Sequence, residues 1–171
     1  MNTLILSGSV SENSRSFLLC KAVEKKLIAK GNTITFVDAR KIPMYPVHRE
    51  ITDEMQQLAE QVKQADNIII GMGVHCYSVN DSLKVLLDAC FSAAGGKFFG
   101  ILCAAGGERS YLSTMHLTQI CMNEWRMIQL PRIVFATGKD FKEDVISSTE
   151  VLERIDLFSE EFHLIGHKLL T

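Results

Sequence analysis

MNTLILSGSVSENSRS, residues 1–16, sets the terms for the whole chain. Thr3, Leu4, Ile5 and Leu6 form a short apolar run without charge, the pattern of a buried strand. A polar loop follows, with a single glycine, Gly8, and hydroxyls at Ser9, Ser11, Ser14 and Ser16. An amphipathic pattern then begins at Phe17. The order is strand, tight loop, helix start. A helix start leaves backbone N–H groups unpaired and carries partial positive charge. Serine hydroxyls beside those N–H groups would surround a phosphate, with Arg15 supplying charge. The loop contains neither Gly-Lys-Ser/Thr nor Gly-x-Gly-x-x-Gly, so the two common nucleotide fingerprints are absent. The same residues also fit a plain serine-rich turn with Ser14 as N-cap.

Downstream of this loop, strands and helices alternate. Phe17, Leu18, Ala22, Val23, Leu27 and Ile28 recur at helical spacing, and Gly31 ends that helix. Thr33–Val37 is β-branched and alternating, a second strand. Residues 38–48 read as a surface loop. Met55, Leu58, Ala59 and Val62 mark a helix with Thr52 as its cap. Asn67–Gly73 is a buried strand running into glycines. Leu83, Leu86, Leu87, Cys90 and Phe91 give a third helix, closed by Gly95-Gly96. Lys97–Ala105 is a fourth strand ending at Gly106 and Gly107, with a helix expected over 110–122. Arg132–Ala136 is a fifth strand. Val151, Ile155, Phe158, Phe162, Ile165 and Leu169 form the buried stripe of a last helix.

Central strands that are apolar on both faces point to a parallel sheet covered on both sides. Five strands in the order 2-1-3-4-5 would bring the loops after the first, third and fourth strands to one crevice, where open α/β sheets bind ligands. The chain's 171 residues, 47% of them hydrophobic, suit a single globular domain. A net charge of −2 gives no electrostatic case for nucleic acid or a membrane surface. No apolar stretch reaches transmembrane length, and the start lacks the pattern of a signal peptide. Five cysteines without C-x-x-C spacing favour reduced thiols in the cytoplasm.

Three stretches have a further meaning when taken together. In GSVSENSRS, Gly8, Ser9 and Ser14 match a G-S-x-R-x-x-S phosphate loop, with Ser11 at the arginine position and Arg15 nearby. GMGVHCYSVNDSLKVLLD parallels a stretch running from T-P-x-Y to L-K-x-x-x-D. Leu83, Lys84 and Asp88 match, Ser78 falls at a small polar position, Met72-Gly73 replaces Thr-Pro, and His75 takes the tyrosine position. CAAGGERSYL is similar to a Gly-Gly loop that lies against a flavin edge. Over roughly the first 140 residues the chain resembles the NADPH-dependent FMN reductase family, of flavodoxin-like fold.

The resemblance implies a three-layer sandwich with helices on both faces of the five-stranded sheet, a single FMN-binding domain over residues 1–171. It implies FMN contacts from Ser9, Ser11, Ser14, Arg15 and Ser16, from Met72, Gly73, Val74, His75 and Ser78, and from Ala105, Gly106 and Gly107. Hydride would pass from NADPH or NADH to FMN and on to a small acceptor: free flavin, a quinone, an azo compound or a metal oxyanion. The cofactor carries that chemistry, so no catalytic side chain is expected. No second dinucleotide fingerprint exists, so the nicotinamide and the acceptor would use one site in turn. The family also implies a homodimer or homotetramer, and Met115, Met122, Trp125 and Met127 would supply the apolar contact.

Two other function classes remain open at this stage. Cys103 to Ser110 satisfies C-x-x-G-x-x-R-S, the loop of a cysteine phosphatase, with Arg109 for the oxygens and Asp81 the nearest candidate acid. Leu102 stands where a thiolate-supporting histidine is usual. A non-enzymatic flavodoxin-like electron carrier is the other class, although −2 is a mild charge for acidic docking. His163 and His167 have metal-ligand spacing on the last helix but no third ligand, so no metal is expected.

Overall fold

The computed structural model describes residues 1–170. In chain order the elements are β1 (Asn2–Ser7), α1 (Arg15–Ala29), β2 (Thr33–Asp38), α2 (Asp53–Gln64), β3 (Asn67–His75), β4 (Ser78–Val79), α3 (Asp81–Cys90) and β5 (Phe98–Ala105). There follow α4 (Thr114–Glu124), β6 (Ile128–Gln129), β7 (Val134–Thr137), β8 (Phe141–Lys142), β9 (Val145–Ile146) and α5 (Thr149–Lys168). The central sheet runs β2-β1-β3-β5, all parallel, and β6 and β7 both pair with the far edge of β5. This is the expected 2-1-3-4-5 order, with the fifth strand split in two.

Pro131 lies between the two halves of that strand, and proline has no N–H to give a ladder. Leu130 extends the first half by one bond, its N–H donating to the Phe99 carbonyl at 2.8 Å, and the register then shifts by two residues, from Phe99 opposite Gln129 to Leu102 opposite Val134. Strand alternation divides the core into two layers. Leu4, Leu6, Ile68 and Ile70 face the side covered by α2, α3 and α4. Ile5, Ile69 and Leu102 face α1 and α5. Helix α5 seals the second side with Val151, Ile155, Phe158 and Phe162, and the two phenylalanine rings stack at 5.9 Å. The helix ends at Lys168, so Leu169 falls beyond it and is exposed rather than part of the buried stripe.

Three further segments differ from the sequence reading. Strand β3 continues past Gly73 to His75 and turns back into β4, pairing Val74 with Val79 and His75 with Ser78. The two turn residues, Cys76 and Tyr77, both have positive φ (47° and 61°). Such turns usually carry Asn-Gly, and Cys-Tyr gives no such signal. A second hairpin, β8–β9, turns at Glu143 with φ 52°. The helix expected from residue 110 is a tighter 3-10 turn over Glu108–Ser113 before α4 begins at Thr114.

Candidate functional site

Because β1, β3 and β5 are parallel, their carboxyl ends lie along one edge of the sheet, and the loops that follow them meet there. They enclose a cleft of about 400 Å³. Ser9, Ser11, Ser14, Arg15 and Ser16 line one end of it. Gly73, Val74 and His75 line it at the end of the central strand β3, and Ala104, Ala105 and Gly106 at the end of β5.

The serine loop is fixed at both ends. Gly8 extends the sheet by one bond, its N–H donating to the Gly71 carbonyl at 2.9 Å. A side chain at Gly8 would place a Cβ 2.8 Å from Leu83, so the chain leaves the sheet here only as glycine. At the far end Ser14 caps α1, its Oγ accepting from the Phe17 N–H at 3.2 Å, with the Ser16 hydroxyl 3.1 Å away. Ser14 is therefore both a helix cap and part of the cleft wall. Ser9 Oγ accepts from the Ser11 N–H at 3.3 Å. Arg15, the one arginine or lysine in the wall, reaches towards the segment after β7. Its guanidinium lies 5.7 Å from the Phe141 ring centre and 3.0 Å from where a Cβ on Gly138 would stand.

At the end of β5, a Cβ added at Gly106 would meet nothing within 4 Å, so its backbone borders open space. Gly107 also has open space but lies outside the wall, and its φ of −159° is ordinary extended backbone. Met72 is buried in the core beneath the cleft. Ser78 faces away from the cleft wall, hydrogen-bonded to His116 Nδ1 of α4 at 2.9 Å. His75 is exposed at the mouth, with Nδ1 3.4 Å from an Asp81 carboxylate.

Asn13, Leu18, Ala104, Glu143 and Asp144 also line the cleft and were not singled out from the sequence. Asn13 and Ala104 lie within stretches already implicated. Glu143 and Asp144 sit on the β8–β9 turn, which no periodicity announced. They add two carboxylates to the wall that also holds Arg15.

The phosphatase reading fails on Cys103. Its side chain is fully buried in the core, and burial pushes the thiol up to about 12. A thiol held neutral at physiological pH cannot be the attacking thiolate. Among the described residues no group of three or more His, Cys, Asp or Glu side chains could hold a metal. His163 instead meets the Asn32 amide at 3.2 Å and stacks edge-on against His167. Burial, with His167 beside it, lowers the His163 pKa. Among the described residues, no helix is long and apolar enough to cross a membrane.

The sheet order and the three-loop cleft define a flavodoxin-like α/β protein. Residues 1–142 match the family model described as NADPH-dependent FMN reductase, and the chain belongs to that family. It is thus an FMN-dependent NAD(P)H oxidoreductase. The NADH-dependent FMN reductase SfnF of Pseudomonas fluorescens (strain Pf0-1) is 28% identical over 171 residues, which cover 94% of this chain and 89% of that one. The apo form of an NADH:FMN oxidoreductase (EMOB) superposes with a TM-score of 0.82 at 16% identity, over 95% of this chain and 88% of the other. FerB from Paracoccus denitrificans, a flavoenzyme NAD(P)H:(acceptor) oxidoreductase, superposes with a TM-score of 0.79 at 13% identity, over 98% and 97%. The last two likenesses concern the fold.

Proposed function

We propose that the cleft is the FMN site, with the phosphate among Ser9, Ser11, Ser14, Arg15 and Ser16. The ring then lies between the Gly73–His75 and Ala105–Gly106 segments. The observation that carries this reading is the meeting, in one cleft, of a hydroxyl-lined helix N-terminus and a glycine whose missing Cβ leaves open space. A helix N-terminus and Arg15 offset phosphate charge. Backbone N–H groups at Gly106 can approach a flat ring edge without a side chain between. Met72, Ser78 and Gly107 support the site from outside its wall: Met72 packs below it, Ser78 anchors the β3–β4 hairpin to α4, and Gly107 opens the 3-10 turn. When bound, FMN would supply a ring able to take up hydride and give electrons to a small acceptor. The chain's own part is to bind, orient and leave one face open. Nicotinamide and acceptor share that face in turn.

Glu143 and Asp144 add negative charge to the same cleft wall, which favours an FMN that exchanges with solvent over one held permanently. The exposed apolar side chains of α4, Met115 and Met122 at 53% and 44%, favour a second copy of the chain as partner, giving a homodimer or homotetramer. Met127 is buried in the core and takes no part. Five unpaired cysteines favour a reducing compartment, the cytoplasm.

Gly106→Val is the direct test. It fills the slot with a branched side chain while leaving both core layers untouched. Flavin binding and FMN-dependent NAD(P)H oxidation should be lost in a protein with unchanged circular dichroism. A variant that still binds FMN normally would place the ring elsewhere.

A further inference from the structure

Asn80 is buried, yet its side chain makes no cap on α3, the helix it precedes. Instead it joins two of the loops that build the cleft. Its Oδ1 accepts from the Gly73 N–H at 2.9 Å, and its Nδ2 donates to the Gly8 carbonyl at 2.7 Å. Those partners fix the orientation of the amide, because an N–H needs an acceptor and a carbonyl needs a donor. Ser82 adds a second donor: its hydroxyl donates to the same Gly8 carbonyl at 2.8 Å and accepts from Asn80 Nδ2 at 2.8 Å. The bonds to the Gly8 carbonyl are buried, where water competes little and they are electrostatically strong, while the one from Gly73 is half-buried at the cleft.

The Gly8 carbonyl shares a planar trans peptide with the Ser9 N–H, and the two point in opposite directions. Turning the carbonyl onto the start of α3 therefore turns the Ser9 N–H away from α3. Glycine rotates its backbone at little cost, so without its two donors this peptide is free to flip. A flip would set a carbonyl dipole, not an N–H, against an anion in the serine loop. Resting on the FMN site described above, we propose that Asn80, seconded by Ser82, is the positioning residue that aims the Ser9 N–H at the FMN phosphate. Through Gly73 the same amide also fixes the phosphate end relative to the ring end. Asn80 touches no reacting atom.

The test is titration of FMN and of riboflavin, which has no phosphate, into the wild type, Ser82→Ala and Asn80→Asp, with thermal midpoints measured alongside. Asn80→Asp keeps the acceptor for Gly73 and removes the donor to Gly8. Loss of one such bond corresponds to about threefold in affinity for Ser82→Ala and about tenfold for Asn80→Asp, in FMN only. Riboflavin should change by less than about twofold, because the ring slot is intact. A fall in thermal midpoint with equal weakening of both flavins, or with neither weakened, would overturn the proposal and leave Asn80 a structural bond. If Asn80→Asp does not fold, Ser82→Ala decides by the same ratio. A wild type that binds both flavins equally defeats this inference and the phosphate placement, and spares only the ring end of the site. A wild type that binds neither defeats both.

Discussion

Ser14 caps α1 with the hydroxyl that also borders the cleft, so its replacement must separate two roles. Aspartate does so, because it caps a helix as well as serine does and adds only a negative charge. Ser14→Asp should leave the thermal midpoint near that of the wild type and weaken FMN at least tenfold, with riboflavin little changed. Titration of both flavins reads this directly. The opposite change belongs to the β8–β9 turn. Glu143→Gln with Asp144→Asn removes two charges from the cleft wall, and FMN should bind several-fold tighter at low salt, less so at high salt. Equal affinities in the two proteins would mean that the carboxylates do not sense the phosphate. Cys103→Ser should cost about 1–3 kcal/mol of stability by burying a hydroxyl, yet leave FMN-dependent NAD(P)H oxidation intact. At this scale the serine loop and the glycines of the cleft were legible in the sequence, because their residue types state their chemistry. Asn80 was not: a lone asparagine before a helix reads as a cap, and only the fold shows its side chain turned to Gly8 and Gly73.

At the scale of elements, α1, α2, α5 and the four long strands carried strong periodicity or unbroken apolar runs, and they stand where those patterns put them. Both hairpins were missed for one reason. Each turns through residues at positive φ that are neither glycine nor asparagine, so tertiary contacts rather than local preference set the turn. The β8–β9 hairpin is held partly by Asp140. Its carboxylate accepts from the Thr137 N–H at 2.7 Å and its hydroxyl at 2.9 Å, and its own carbonyl accepts from the Ser147 N–H at 2.8 Å. Partial burial acts to raise the Asp140 pKa, but the bonds from Thr137 outweigh it and hold the carboxyl below its ordinary value. A carboxyl depressed by folding stabilises the native state above its unfolded pKa, and that contribution fades as the pH falls through the folded one. Asp140→Asn should therefore lower the thermal midpoint near neutrality, and the gap from the wild type should close in acid. A gap that stays constant down to strongly acidic pH would exclude this role. Phe158 makes the matching test for α5: it is wholly buried against the sheet, and Phe158→Ala should cost about 3–5 kcal/mol in denaturant unfolding.

For the whole molecule, the expected sheet order alone places the three loops together, because parallel strands in the order 2-1-3-4-5 leave them no other edge. Composition could not show which residues on and after α4 turn outward: of the four apolar residues singled out, Met115 and Met122 are exposed while Met127 completes the core. Met122→Glu should accordingly shift the chain towards monomer in light scattering if a second copy covers α4. The central claim is that one cleft reads both ends of FMN, and paired titration of the wild-type protein with FMN and riboflavin, followed by flavin fluorescence, tests it most directly. The account predicts saturable binding of both, with FMN the tighter. Saturable binding of neither, or riboflavin as tight as FMN, would contradict it.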